Sequence, residues 1–234
     1  MLRLSDERNF ARTLAGLSLI VAPLLLLLSV VIGPHLSDDG GGRLAQIADN
    51  EGRYIAGGYL LLLGAWAFVP GLLGVSRLFR GRRVTLGQVG AGLVLVGWIS
   101  TISFFGRGAY EFEAAQPGLD RAMMARLVDN VEESGVMIPM IIITFVVGIA
   151  IGSLIVAWSL WRRRLAPPWA AAALVVWTIL DILADNVALS AIAFAFLLVG
   201  FGAVGLKLLS ISDEEWDLLG RAPGASEAPP VPAA

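Results

Sequence analysis

Six long apolar stretches divide this chain, and each is about as long as a lipid bilayer is thick. The first, residues 14–32, contains no charged residue over 19 positions. As a helix it would measure about 29 Å, close to the roughly 30 Å hydrocarbon core of a bilayer. The others are residues 54–76, 85–106, 136–161, 166–184 and 187–206. Because a helix satisfies its backbone hydrogen bonds within one segment, the sequence predicts an all-α membrane domain of six transmembrane helices within residues 1–210.

Overall composition supports the same class of fold. Hydrophobic residues make up 57% of the 234-residue chain, and its mean hydropathy is +0.77. A soluble domain would lack the polar residues needed to cover so apolar a core. The net charge is only −2 and no long basic run occurs, so nucleic acid is not an expected partner. Since the chain has no cysteine, thiolate metal sites and cysteine nucleophiles are excluded.

Basic residues are distributed unequally between the two ends of the apolar stretches. Twelve lie at the chain ends and in the second and fourth connections, whereas the other connections hold five. Because cytoplasmic loops are enriched in Lys and Arg, both termini are predicted to be cytoplasmic. The chain has 16 Arg but one Lys, a bias typical of a GC-rich genome. We therefore expect a multi-pass protein of the bacterial cytoplasmic (inner) membrane, with the lipid bilayer as its first partner.

The last two stretches are separated only by a short polar break. Residues 166–206 form one run of 41 positions that is interrupted by Asp181 and Asp185. A single helix of that length would be about 62 Å long, twice the thickness of a bilayer core. Two spans are therefore predicted, with a turn near Asp185 and Asn186.

Segments outside the spans also carry structural patterns. Apolar residues recur every four positions within residues 118–134, which predicts an amphipathic helix in the second outer loop. That helix would lie either on the outer leaflet or over the bundle. Residues 211–221 are predicted to form a short cytoplasmic helix, because Ser212 begins a capping pattern. Residues 222–234 are rich in Pro and Ala and are expected to be disordered.

Asp181 is the main candidate for a functional polar residue. A carboxylate inside a membrane span is costly and is by default a functional candidate. Asp181 lies one helical turn before Asp185, on the same helix face. The alternative is a structural role, in which Asp181 is a helix-end carboxylate paired with a neighbour.

A binding or proton site would also need a partner for this carboxylate. Arg107 ends the third span at the same predicted membrane depth, so a pair with Asp181 or Asp185 is allowed, and Glu111 competes for the same guanidinium. If the third and fifth spans face each other, they enclose an outward-facing polar pocket lined by Asp181, Asp185, Arg107, Ser103 and Asn186. Such a pocket would hold a small polar solute or relay a proton.

A metal site is a remote alternative elsewhere in the chain. His35 is the only histidine, and it lies close to Asp38 and Asp39 in the sequence. The surrounding segment, residues 33–42, is rich in glycine and is more typical of a flexible outer loop. We therefore expect neither a metal nor a cofactor.

Gly148 and Gly152 form a pair of small residues four positions apart in the fourth span, and the third span carries several further glycines. Small residues at this spacing let membrane helices approach closely. Packing within the chain is the favoured interpretation, and a homo-oligomer interface is the alternative.

No motif in the sequence indicates a reaction. One histidine is too few for a bis-histidine haem or for a membrane phosphatase that needs two. Glu132 and Glu133 resemble the paired glutamates of prenyl-peptide proteases, but Met137 stands where those motifs have Arg. Asp181 and Asp185 share one predicted helix, whereas aspartyl intramembrane proteases draw their carboxylates from two. We therefore predict that the protein is not an enzyme.

The opening of the first span reads Ala-Arg-Thr-Leu-Ala-Gly-Leu-Ser-Leu-Ile at residues 11–20. Together with an outer loop and six predicted spans, this stretch resembles the bacterial membrane family called domain of unknown function 4386. The resemblance implies a six-span membrane protein with no established activity and no catalytic residues to transfer. The long acidic second outer loop departs from that pattern.

Three functions remain open on these observations. The leading hypothesis is a non-enzymatic accessory or interaction protein that binds a membrane-protein partner or a second copy of itself, because only Asp181 lies clearly inside a span. The first alternative is a small-solute or proton-coupled transporter that uses Asp181, Asp185 and Arg107. The second alternative is a protein that binds a lipid or a quinone between its glycine-faced helices.

Overall fold

The computed structural model describes residues 7–79 and 85–220, and the regular structure in these residues is entirely helical. The elements are α1 (Glu7–Ile32), α2 (Gly40–Asp49), α3 (Glu51–Leu78), α4 (Leu86–Ala114), α5 (Arg121–Glu132), α6 (Met137–Ile141), a π-helix (Ile142–Ile151), α7 (Gly152–Arg162), α8 (Pro168–Leu183), α9 (Val187–Ser210) and α10 (Asp213–Gly220). The predicted disorder of 222–234 lies outside the described residues, as do Arg3, Arg80, Arg82, Arg83 and Arg221.

Five helices in the described part of the chain are long and apolar enough to cross a membrane. They are α1 from Asn9, α3, α4, the continuous helix Met137–Arg162 and α9. The remaining predicted span, residues 166–184, corresponds to α8, which is apolar but has only 16 residues, or about 24 Å of helix. The fold is therefore all-helical with five candidate spans, and it is compatible with an integral membrane protein.

The long helices form a ring in which each packs on the next. α1 packs on α3, α3 on α4, α4 on the π-helix and α7, α7 on α8, α8 on α9, and α9 returns to α1. Successive neighbours run antiparallel. In the pair of α1 and α3, for example, Gly57 meets Gly33 at one end and Gly74 meets Ala15 at the other. Short connections favour this up-and-down arrangement of helices.

Aromatic side chains fill the middle of the ring. Phe68 of α3 stacks on Trp98 of α4 with ring centroids 5.0 Å apart, and it meets Phe201 of α9 edge-on at 5.3 Å. All three side chains are buried. Aromatic pairs of this geometry contribute about 0.5–1.5 kcal/mol each beyond the area that they bury. The space between α3, α4 and α9 is therefore a packed core.

Glycines allow α4 and the fourth span to approach closely. A Cβ added at Gly148 would lie 2.8 Å from the Cα of Gly97, and one added at Gly152 would lie 2.9 Å from the backbone nitrogen of Val94. Any side chain at either position would therefore push the two backbones apart. Gly148 and Gly152 pack inside the chain, against α4.

The fourth span is not a uniform α-helix. Residues Ile142–Ile151 form a π-helix, which is wider than an α-helix and usually lasts for only a single turn. This segment packs against α4 and contains both Gly148 and the buried Thr144. The sequence does not predict this feature, because an apolar run has the same composition in either kind of helix.

The first and last described helices meet at one end of the ring, which we call the terminal end. Arg12 Nε lies 2.8 Å from Asp213 Oδ1, and Arg12 Nη1 donates to the Leu209 carbonyl oxygen at 2.8 Å. Trp216 of α10 is buried, and the Arg77 guanidinium lies 4.4 Å from the centre of its ring. These contacts hold α10 against α1 and α3.

A helical cap, formed by α2, α5 and the adjoining ends of α3 and α4, lies at the opposite end of the ring. Leu44 and Ile47 of α2 and Val128 of α5 are its main buried residues, and they pack on the end of α4. On the other face of α5, Met123 and Leu127 are exposed. The cap therefore has an apolar core of its own, separate from that of the ring.

The expectation of a flexible loop at 33–42 is wrong for its last three residues, because Gly40–Gly42 form the first turn of α2. Asp39 is the residue that begins this helix. Its carboxylate accepts a hydrogen bond from the backbone N–H of Gly42 at 2.7 Å, as N-terminal capping residues do. A glycine-rich sequence hides such a helix, because glycine has a low helix propensity and shows no apolar period.

Candidate functional site

Arg107 of α4 is bound within the helical cap. Its Nε lies 2.7 Å from Oε1 of Glu111, one helical turn later, and its Nη2 pairs with Glu132 of α5. Sequence reasoning named Glu111 as a competitor for this guanidinium, and the structure has that pair. Glu132 is a second partner that the sequence did not suggest.

Arg43 of α2 completes a group of four charges, which we call the ionic cluster: Arg43, Arg107, Glu111 and Glu132. Arg43 Nη1 lies 3.4 Å from Oε1 of Glu111 and also pairs with Glu132. The side chain of Glu111 is 4% exposed, and those of the two arginines are 13% and 18% exposed. The cluster is electrically neutral, and each arginine contacts both carboxylates.

Burial sets the energetics of the ionic cluster. Removing charges from water costs several kcal/mol per ion, and mutual attraction offsets this cost only where the geometry is good and the remaining polar atoms are bonded. Glu111 meets this condition, because its Oε2 also accepts a hydrogen bond from the Tyr54 hydroxyl of α3 at 3.2 Å. Loss of one charge would leave the other three unbalanced. The cluster therefore links α2, α3, α4 and α5 as a unit.

Neighbouring polar contacts strengthen the same junction. The backbone N–H of Gly40, the first residue of α2, donates to Asp129 Oδ1 of α5 at 2.7 Å. Asp39 immediately precedes Gly40, and its carboxylate accepts hydrogen bonds from the Ser37 hydroxyl and the Gly42 N–H. These hydrogen bonds hold the pKa of Asp39 below the ordinary value of 3.8. Hydrogen bonds thus fix both the start of α2 and its position on α5.

Asp181 lies at the end of α8, away from the ionic cluster. Its side chain is exposed at the protein surface, and within the described residues it makes no hydrogen bond or ion pair. The adjacent Ile182 and Leu183 are exposed as well. Asp181 therefore lies on an apolar outer surface of the ring, and the interpretation as a carboxylate paired with a neighbour is not supported.

Asp185 and Asn186 form the turn between α8 and α9. The Asn186 side-chain amide donates to Asp185 Oδ1 at 2.6 Å, and its carbonyl oxygen accepts from the Leu189 N–H at 2.9 Å. Asn186 is thereby the N-terminal cap of α9. These contacts give both residues a structural role at the helix start.

The predicted pocket between the third and fifth spans is not formed. α4 packs on α3, α7 and the π-helix, whereas α8 packs on α7 and α9. Arg107 is already bound to Glu111 and Glu132, and Ser103 donates to the Ser100 carbonyl oxygen of its own helix at 2.5 Å. The structure thus separates Arg107 and Ser103 from Asp181, Asp185 and Asn186, because α7 lies between their helices.

The remote metal site is not formed either. Within residues 7–79 and 85–220, no three His, Asp or Glu side chains converge in a way that could hold a metal ion. The Asp39 carboxylate accepts hydrogen bonds from the Gly42 N–H and the Ser37 hydroxyl at the start of α2.

Compared with known proteins, the chain matches no family model, no curated protein sequence and no solved structure. The class of protein is therefore inferred from the fold alone. In the described residues the chain is apolar and all-helical, which is compatible with an integral membrane protein.

Sequence reasoning missed Arg43, Tyr54 and Glu132 as parts of one charged site. They lie in three different segments, and their common feature is that each lies in, or at the edge of, a connection at the same predicted end of the bundle. Opposite charges in connections at the same end of a bundle were the available signal. That signal is weak, because the same charges are usually solvated on flexible loops.

Proposed function

We propose that the protein crosses the bacterial cytoplasmic membrane six times, with α8 as the fifth crossing and both termini in the cytoplasm. The placement of α8 supports this. α7 ends near the terminal end, where Arg163 Nη1 donates to the Phe79 carbonyl oxygen at 3.2 Å. α9 ends there too, beside Arg12. Because α7 and α9 both run toward that end, the chain between them must return across the ring, and α8 is the helix that does so.

Charge distribution supports the proposed orientation. Five basic residues lie in the last turn of, or just after, spans that run toward the terminal end: Arg77, Arg162, Arg163, Arg164 and Lys207. Cytoplasmic loops are enriched in such residues. In this topology the helical cap, including α5 as an amphipathic helix of the second outer loop, lies outside the membrane. The resemblance of residues 11–20 to domain of unknown function 4386 agrees with this proposal and adds no activity to it.

We further propose that the protein serves as a non-enzymatic accessory or interaction protein, which presents the helical cap to a membrane-protein partner or to a second copy of itself. The ionic cluster is the observation that carries this proposal. It uses four charges, of which Glu111 is buried and the other three are partly buried, to fix two short helices over the ends of α3 and α4. A surface that is already ordered loses less conformational freedom when a partner binds.

Site-specific crosslinking tests the interaction proposal. A photoreactive amino acid at Met123, on the exposed face of α5, should give one discrete crosslinked product in native membranes. Glu111→Gln should weaken that product, because it loosens α5 without changing its exposed face. The same probe at Ile192, exposed on α9 and not part of the cap, is the matched control. Crosslinks that are equally strong at both positions, or unaffected by Glu111→Gln, would contradict the proposal.

The transporter remains the alternative with a direct test. Its pocket required Arg107 beside Asp181, and Arg107 is instead part of the ionic cluster. A transporter of this design would still need the carboxylate, so Asp181→Asn should abolish uptake of a solute while leaving expression and folding intact. Full function in Asp181→Asn would remove this alternative.

The quinone- or lipid-binding alternative placed its ligand between the glycine-faced helices. Gly97 and Gly148 are in backbone contact, so the glycine faces leave no room between them for a ligand. A lipid site would have to lie on another surface of the ring.

A further inference from the structure

A cleft at the terminal end combines the features of a site for an anionic headgroup. It lies between the turn that joins α7 to α8 and the last turn of α9, and its volume is about 530 Å³. We call it the Arg164–Lys207 cleft, after the two cations that line it. Ligand clefts in proteins commonly have volumes of about 300–1,000 Å³.

Both cations of the cleft are available to a ligand. Arg164 and Lys207 come from segments 43 positions apart in the sequence, and both are exposed. Within the described residues, neither side chain makes a hydrogen bond or an ion pair, and no acidic residue lines the cleft. Their neighbours differ in this respect, since Arg163 donates to the Phe79 carbonyl oxygen and Arg12 pairs with Asp213. In the part of the chain that the structure describes, the cleft therefore carries two positive charges without an acidic partner.

Arg164, which lines the cleft, has a strained backbone conformation. Its φ is 54°, and it is the only residue other than glycine with a positive φ in the described part of the chain. The Leu165 N–H donates to the Leu160 carbonyl oxygen at 3.1 Å, which closes α7 in a motif that normally places glycine where Arg164 stands. A non-glycine residue in this conformation costs free energy. Such strain often accompanies function.

Apolar surface adjoins the two charges. Trp161 and Pro168 line the cleft. Trp169 and Leu206, which follow Pro168 and precede Lys207 in the sequence, are 57% and 62% exposed. In the proposed topology this surface faces the acyl chains, with Trp161 and Trp169 at headgroup depth, where tryptophan is enriched.

We propose that the Arg164–Lys207 cleft binds the phosphate headgroup of an anionic phospholipid in the cytoplasmic leaflet. A guanidinium binds two phosphate oxygens at once, and a lysine ammonium adds a compact charge. Basic pockets between membrane helices on the cytoplasmic side are suited to such headgroups. This inference rests on the proposed membrane topology, because the cleft must lie at the level of the headgroups.

Native mass spectrometry of the detergent-solubilised full chain tests the inference. Phosphatidylglycerol and phosphatidylcholine are added at equal concentration, and the bound fraction of each is measured. We expect the wild type to prefer phosphatidylglycerol. Arg164→Gly and Lys207→Gln should each reduce that preference by about fivefold, since one basic residue near an anionic lipid contributes roughly that factor.

Arg162→Gln is the matched control. It removes one exposed positive charge only two positions from Arg164 but outside the cleft, so it should leave the preference unchanged. An equal preference in all four proteins, or a loss in Arg162→Gln as large as in Arg164→Gly, would overturn the inference. Binding of soluble glycerol 3-phosphate as tight as that of phosphatidylglycerol would show that the ligand is a free phosphate ester and would overturn the lipid assignment.

Extraction with alkaline carbonate tests the membrane topology separately from the cleft. If alkaline carbonate releases the protein from native membranes, then the proposed topology is wrong, whatever lipid preference is measured. If the protein resists extraction but does not distinguish the two lipids, only the cleft inference fails.

Discussion

Arg43 Nη1 lies 3.4 Å from Glu111 Oε1, so an ion pair joins α2 to α4 across 68 positions of the chain. The same carboxylate oxygen lies 2.7 Å from Arg107 Nε. One buried oxygen atom is thus shared by two guanidinium groups, which ties the position of α2 to the end of a long helix of the ring.

Glu111→Gln should loosen the helical cap. The substitution keeps the size of the side chain but leaves Arg43 and Arg107 with only Glu132 as a counter-charge. Loss of one partner from a partly buried ionic group costs about 2 kcal/mol, so amide hydrogen exchange in α2 and α5 should accelerate about thirtyfold. Glu113→Gln is the control, because Glu113 is exposed on the same helix. Unchanged exchange in α2 would contradict the role of the ionic cluster.

Gly148→Ala should destabilise the ring. The new methyl group would lie 2.8 Å from the Cα of Gly97, and backbone atoms cannot move aside as a flexible side chain can. We expect a loss of about 1–3 kcal/mol, seen as a lower unfolding temperature in detergent.

Gly92→Ala provides the comparison for this glycine, because a Cβ there meets no atom within 4 Å. It should leave the unfolding temperature unchanged or raise it slightly, since alanine favours a helix. If Gly148→Ala changed the oligomeric state while leaving the stability intact, Gly148 would belong to an interface between copies and not to the packing of α4.

Stability should depend on pH through Asp39. Hydrogen bonds from Ser37 and Gly42 lower the pKa of its carboxyl group in the folded protein below 3.8. A lowered pKa stabilises the fold above the unfolded-state value, and this contribution is lost as the pH falls through the folded-state pKa. Asp39→Asn still caps α2 but does not titrate.

The wild type should therefore unfold at a higher temperature than Asp39→Asn near neutral pH, and the difference should shrink as the pH falls below about 4. Thermal unfolding monitored by circular dichroism across this range measures it. A difference that stays constant with pH would show that the Asp39 charge does not stabilise α2.

Arg164→Gly should stabilise the turn between α7 and α8 by about 1 kcal/mol, because glycine adopts a φ of 54° without the steric cost of a Cβ. Arg164→Ala removes the same charge and keeps that cost. The unfolding temperature of Arg164→Gly should thus exceed that of Arg164→Ala. Equal temperatures for the two variants would mean that the positive φ stores no strain.

The sequence was sufficient to predict the helical class, because charge-free runs of bilayer length have few other solutions. The turn at Asp185 and Asn186 lies between α8 and α9 as the polar break indicates. What could not be predicted was which helices are neighbours. α7 packs between α4 and α8, and the apolar composition of the spans does not determine that order. The polar pocket assumed that the third and fifth spans are adjacent, and it failed for this reason.

The helical cap could not be predicted from the sequence for a different reason. α2 begins with three glycines, whose low helix propensity is overcome by the Asp39 cap and by packing on α5. The charges of the ionic cluster come from three helices, and each alone resembles a solvated surface residue. Only their convergence in space identifies them as one partly buried group.

The central claim is that the chain crosses the membrane six times and that the helical cap lies outside. Labelling of single cysteines in intact cells tests this claim most directly. The chain has no native cysteine, so each introduced thiol reports its own position. Asp38→Cys beside the cap, Asp185→Cys in the turn between α8 and α9, and Arg162→Cys at the terminal end all replace exposed residues. A membrane-impermeant maleimide should label the first two in intact cells and the third only after lysis. Labelling of Asp185→Cys only after lysis would show that α8 does not cross the membrane, and labelling of Arg162→Cys in intact cells would contradict the proposed orientation.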